Sequence, residues 1–204
     1  APLSSDSWRD SFRSAPMWQL SIAYWVCGVT TASISVHFVR WASSEGIAPQ
    51  NAAIAFGVLS AINAIGVFTV GYFSDRMQRK NLLGAVYLIR GLAFVSLIVL
   101  PGYSALWAFA IIGGASWLAT VPLTTSIAAD VYGVKHIGVL AGLINFSHQL
   151  GGGLAVILFG LVFDKWGTYD PAFIVGAITL LVAGIVSLSI REKRYSLRYS
   201  RSYS

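Results

Sequence analysis

The sequence predicts an all-helical, polytopic membrane protein with six transmembrane helices. Three observations carry that expectation. The chain has 204 residues, of which 56% are hydrophobic and 11% charged, whereas a soluble domain carries about a quarter charged residues. Its apolar residues gather into runs close to the ~20 that a helix needs to cross a bilayer. The charges collect between those runs, because charge in hydrocarbon is costly. A soluble globular fold is excluded on these grounds. The net charge of +6 belongs to loops and ends, so it does not point to nucleic acid.

The first span runs from about Met17 to Val39, between Trp18 and Trp41 as interfacial anchors. A polar link, SSEGIAPQ, carries Glu45 and a helix-starting Pro49. The second span covers about Asn51 to Phe73, and the third about Asn81 to Leu100, ending at the turn signal Pro101-Gly102. The fourth runs from about Ala105 to Ala129 with Pro122 inside it, which predicts a bent helix. After the link from Asp130 to His136, a glycine-rich fifth span extends from Ile137 to Phe163, and the sixth from Ala172 to Ile190. Residues 1–16 read as a polar cytoplasmic start, 17–190 as the membrane domain, and 191–204 as a basic, disordered cytoplasmic tail. Arg76, Arg79, Lys80, Lys135 and the basic residues of both ends fall on one side, against Arg40 and Lys165 on the other. That asymmetry predicts cytoplasmic termini in a plasma (inner) membrane. The single Cys27 excludes an internal disulfide and reads as an inert, small buried hydrophobe.

Between the second and third spans lies GYFSDRMQRK, a charged hairpin containing Gly71, Asp75, Arg76, Arg79 and Lys80. The pattern Gly-x-x-x-Asp-Arg-x-x-Arg-Lys resembles the loop signature of the major facilitator superfamily, with Gln78 where the commonest form has Gly. The stretches CGVTTASISVHFV, LLGAVYLIRGLAF, TVPLTTSIAADVYG and GLINFSHQLGGGLA extend the likeness over about Met17 to Ile190. They are similar to the C-terminal half of a bacterial carrier of the monocarboxylate and oxalate/formate group. The resemblance implies two inverted three-helix repeats, forming half of a twelve-span fold, with residues 1–16 as the cytoplasmic linker that joins the halves. It implies secondary active transport of a small mono- or dicarboxylate, by proton coupling or exchange, and no cofactor. The partners would be the anion, protons, lipid, and either a missing N-terminal half or a second copy of this chain. The sequence has neither an initiating Met nor a signal peptide at its start, so truncation is the expected origin.

Candidate site residues follow from polar groups inside the spans. His148, Asn145 and Gln149 share one face of the fifth span, which Gly152 continues; they line a cavity or bond across helices. Asn63, mid-way along the second span, is either a substrate donor or an interhelical bond. Arg90 has no acidic residue inside any span to balance it, so it either binds neighbouring carbonyls or meets an anion. His37 and Arg40 form an outer entry site for an anion or snorkel to the interface. Gly138 and Gly142 read as a close-packing motif. By the resemblance, Asp75 caps a helix N-terminus across the domain interface while Arg76 and Arg79 tie the loop down; within this chain alone Asp75 is expected to contact only its neighbours. Paired metal-ligand spacings and a phosphate loop are missing. The rival readings are a non-transporting scaffold and an intramembrane protease; for the latter, GGASW stands where Gly-x-Ser-Gly is needed.

Overall fold

The computed structural model describes residues 7–191. A short 3-10 helix, Trp8–Arg13, precedes α1 (Ala15–Ser44), α2 (Pro49–Ser74), α3 (Arg79–Val99), α4 (Gly102–Ser116), α5 (Thr120–Tyr132), α6 (Ile137–Trp166) and α7 (Asp170–Leu188). Helices α4 and α5 together form one span, so the described residues hold six helical crossings long and apolar enough for a bilayer. Prolines occupy the first turns of α1, α2 and α7, where the missing N–H has no helical partner to lose. Gly167 ends α6 in the left-handed region at φ 68°, a conformation that glycine adopts without a Cβ clash. The basic tail beyond Arg191 and residues 1–6 of the expected linker lie outside the described residues.

The packing repeats itself. The largest interfaces are α1 on α6, α2 on α4, and α3 on α7. Exchanging the first three spans for the last three turns the α1–α6 pair into the α4–α2 pair and leaves α3–α7 in place. Glycines mark the same relation. A Cβ on Gly28 would lie 1.9 Å from the His148 carbonyl oxygen of α6, and one on Gly114 would lie 2.8 Å from the Leu59 carbonyl oxygen of α2. Gly66 against Ala115 and Gly152 against Gly28 and Ala32 repeat the correspondence at the same sequence offset. Backbones approach this closely because a bilayer supplies no hydrophobic drive between helices, so close van der Waals contact must hold them.

The deep core is aromatic. Phe38, Phe94, Phe109 and Phe173 are each no more than 2% exposed, and rings from α1, α3, α4 and α7 meet in mostly tilted and edge-on pairs. Coverage of the helices is uneven. The most apolar window of α1 is 67% buried, whereas those of α2 and α6 are 17% and 22% buried.

The fourth span departs from expectation. Pro122 does not bend a continuous helix; the helix is interrupted at Trp117–Ala119 and restarts at Thr120. A residue at Pro122 would normally donate to the Leu118 carbonyl one turn back, and proline has no N–H to give. Val121 N–H takes that carbonyl instead, in a tighter turn of 3.0 Å.

Candidate functional site

The least covered helices frame a continuous open face. One cleft of about 390 Å³ is lined by Tyr24 of α1, Val121, Thr124 and Thr125 of α5, and Gly142 and Asn145 of α6. A second, about 720 Å³, is lined by Asn63 and Val67 of α2 with Leu118, Val121, Pro122 and Thr125. Val121 and Thr125 belong to both, so α5 is a ridge between two grooves. The side chains on this face are uncharged. Thr125 donates to its own Val121 carbonyl at 3.2 Å, which leaves its oxygen lone pairs facing outward chemistry as acceptors.

Behind the Tyr24 side of the cleft sits His148. Its ring lies 4.7 Å from that of Tyr24, Nε2 is 3.4 Å from the Thr31 hydroxyl, and Nδ1 is 3.2 Å from Gln149 Oε1. The histidine is half-buried, with Asn145 and Gln149 exposed on the open side. The polar stripe read from the sequence therefore straddles a boundary: the His148 backbone and Gly152 press on α1, while Asn145 and Gln149 face outward.

Arg90 is sealed beneath the break in the fourth span. It is 0% exposed, Nη2 donates to the carbonyls of both Ser116 and Trp117, and Nη1 donates to Cys27 Sγ at 3.1 Å. Those carbonyls end α4, where the helix dipole favours a cation. Tyr87 and Trp117 place their rings 5.9 and 5.7 Å from the guanidinium. Of the two roles open to Arg90, the carbonyl-bound one is what its contacts describe, and none of its described contacts reaches the grooves. Cys27 does more than fill space: besides accepting from Arg90, it bonds the Thr120 hydroxyl at 3.2 Å. Nothing in the composition marked it, since its partners arrive from spans three and four.

His37 and Arg40 stand apart from this face, toward the α1–α2 end. Both ring nitrogens of His37 are engaged, Nδ1 with the Tyr169 hydroxyl at 3.0 Å and Nε2 with the Val156 carbonyl at 2.9 Å. Since a carbonyl only accepts, Nε2 donates to Val156, while Nδ1 meets the Tyr169 hydroxyl, which can serve as donor or acceptor. Arg40 lies over Phe163 and pairs at 3.7 Å with Asp164, both side chains largely exposed. Arg40 thus forms an exposed ion pair at this end of the bundle, while His37 is tied inside it.

One further expectation changes. A Cβ on Gly138 or Gly142 would meet nothing within 4 Å; they face open space, and Gly142 lines the cleft. The close contact on α6 is made by Gly151 and Gly152 instead, because these, and not the earlier pair, fall on the side of the helix turned to α1. In the charged hairpin, Asp75 contacts its neighbour Arg79 at 3.7 Å, and Arg76 bonds the Tyr72 carbonyl and stacks on its ring. Lys80 opens the first turn of α3, and Gly71 sits in the last turn of α2. The stronger tie is one that sequence spacing did not suggest: Arg79 reaches Asp130, at the end of α5, in a partly buried ion pair.

Comparison with known proteins fits this architecture. The chain is 25% identical over 176 residues to Monocarboxylate transporter 12-B of Danio rerio, covering 83% of this chain and 36% of that protein. It is 28% identical over 172 residues to the MFS-type transporter YcxA of Bacillus subtilis, covering 81% and 41% respectively. The chain thus spans well under half the length of these relatives. Among solved structures, the E. coli fucose:proton symporter FucP superposes with a TM-score of 0.72 at 20% identity, over 93% of this chain and 46% of that one. These relatives are transporters, not enzymes. The family model of the Major Facilitator Superfamily matches residues 20–201, and with six spans arranged as half of that fold, the chain is a multi-pass membrane protein that belongs to the Major Facilitator Superfamily.

Proposed function

We propose that this chain is the C-terminal half of a twelve-span secondary carrier for a small organic anion, a mono- or dicarboxylate, moved by proton coupling or exchange. The observation that carries the reading is the coincidence of exposure and polarity. The two spans left most uncovered, α2 and α6, carry Asn63 and Asn145 into the two clefts, with His148 half-buried behind Tyr24 and Gln149 exposed beside it. A lipid-facing surface would not carry such a stripe. A second six-helix unit, either an N-terminal half or another copy, closes this face and leaves a polar path between the units. The names of the monocarboxylate relatives support a carboxylate substrate.

His148 is the switchable group of this half. Protonated, it supplies positive charge next to an otherwise neutral cleft, so anion and proton bind together; Asn63, Asn145 and Gln149 supply neutral hydrogen bonds. The asymmetry of basic residues supports cytoplasmic termini, and a bacterial carrier of this kind would sit in the plasma (inner) membrane.

The test is uptake of labelled mono- and dicarboxylates into proteoliposomes, with this chain alone and with a co-expressed first half. Uptake that needs the partner, is driven by an inward proton gradient, and falls at least tenfold in His148→Ala supports the assignment. Absence of uptake of every anion under both conditions refutes it.

A further inference from the structure

The break in the fourth span leaves backbone groups that a continuous helix would have satisfied, and four of them have definite partners. The Ser116 and Trp117 carbonyls take Arg90 of α3. The Leu118 carbonyl takes Val121 N–H. The Leu118 N–H donates to Asn63 Oδ1 of α2 at 2.8 Å. Thr120, the first residue after the break, is tied to Cys27 of α1. Three helices of the first triplet therefore hold the two ends of one interrupted span.

These ties differ in depth. Arg90, Cys27 and Thr120 are wholly buried, at 0%, 1% and 0% exposure. The Asn63–Leu118 bond lies at the groove: Asn63 is half-buried, Leu118 is 45% exposed, and both line the larger cleft. A bond at a wet edge exchanges with water or a ligand far more readily than one in the core.

We infer that Asn63 is a positioning residue, a latch that holds α5 against α2 and is released when a ligand in the groove takes the Leu118 N–H. A ligand with a hydrogen-bond acceptor, such as a carboxylate oxygen, satisfies that N–H in place of Asn63. Because Val121 and Thr125 line both grooves, a tilt of α5 about Trp117–Ala119 narrows one groove as it widens the other. Arg90 and Cys27 form the fixed side of the hinge, and Pro122 keeps the break from healing into helix.

This inference rests on the transport-path reading, but its test does not require transport. Cys27 is the chain's one cysteine and lies directly under the break, so its alkylation reports opening. The full chain in lipid vesicles is treated with N-ethylmaleimide and the modified fraction is followed by mass. Asn63→Leu, which cannot accept from Leu118, is expected to speed alkylation about tenfold, the change in an opening equilibrium for one lost hydrogen bond. Asn63→Asp retains an acceptor and is expected to stay within about threefold of the parent. Pro122→Ala restores a donor for the Leu118 carbonyl and is expected to slow alkylation, which keeps the test decisive should Asn63→Leu fold poorly. Equal alkylation in Asn63→Leu and the parent, equal loss of protection in Asn63→Asp and Asn63→Leu, or an unchanged rate in Pro122→Ala each overturns the latch. Failed uptake with the alkylation pattern intact counts against the transport path and leaves the latch standing.

Discussion

Gly28 is the position where one added methyl group does the most damage. Its backbone touches that of His148, and a Cβ placed there would sit 1.9 Å from the His148 carbonyl oxygen. No rotamer relieves this, since the obstacle is backbone on both sides. Helices α1 and α6 would have to part by about 1.5 Å to restore ordinary van der Waals contact, which loosens the neighbouring contacts of Gly151 with Trp25 and Gly152 with Ala32 as well. Overpacking of this kind costs about 1–3 kcal/mol, and a rigid backbone clash belongs at the upper end. Against it stands the helix-propensity gain of about 1 kcal/mol for replacing glycine by alanine. Gly28→Ala is therefore expected to lose about 2 kcal/mol, or about 4–8 °C in Tm for a chain of this size. Gly57→Ala and Gly153→Ala are the matched controls: a Cβ at either meets nothing within 4 Å, so only the propensity gain remains and Tm should hold or rise. Thermal unfolding of the detergent-solubilised chain, followed by size-exclusion with fluorescence detection, reads all three. A Gly28→Ala protein as stable as Gly153→Ala would refute the claim that backbone contact holds α1 on α6.

Two more predictions concern buried charge, and the same unfolding assay measures them. Arg90→Met strands the Ser116 and Trp117 carbonyls at about 1–3 kcal/mol each, but it also removes a cation whose burial in hydrocarbon costs at least ~2.5 kcal/mol. Arg90→Lys keeps the cation and loses the planar fork that spans two carbonyls and a thiol, so it should unfold at a lower temperature than Arg90→Met; the reverse order would show that charge alone matters at this position. At the hairpin, Asp130→Asn should lower stability by about 2 kcal/mol because its pair with Arg79 is partly buried, at 17% and 24% side-chain exposure. Asp75→Asn should cost under about 1 kcal/mol, its side chain being 79% exposed; equal effects would mean that the loop, rather than the α5 tie, anchors Arg79.

Six crossings, the position of the charged hairpin and the candidate polar residues were legible in the chain because each depends on local composition. Helix length, charge avoidance and proline placement act over a few turns, and a reader of the linear string meets them directly. Asn145, His148 and Gln149 stand on one helix face by spacing alone. What the string does not contain is the side on which each helix meets its neighbour. Gly138 and Gly142 have the same chemistry as Gly151 and Gly152, yet only the latter pair faces α1. Cys27 looked like filler, and Asp130 like a loop acid, because Arg90 and Arg79 approach them from other helices. The break at Trp117–Ala119 was foreshadowed by Pro122 but located by Asn63, Arg90 and Cys27, which supply partners for its free ends. Membrane-length apolar runs settle how often the chain crosses, since lipid forbids unpaired backbone in any other form. Which polar groups meet inside was settled by the rotation of one helix against another, a matter of contact geometry that no single helix encodes.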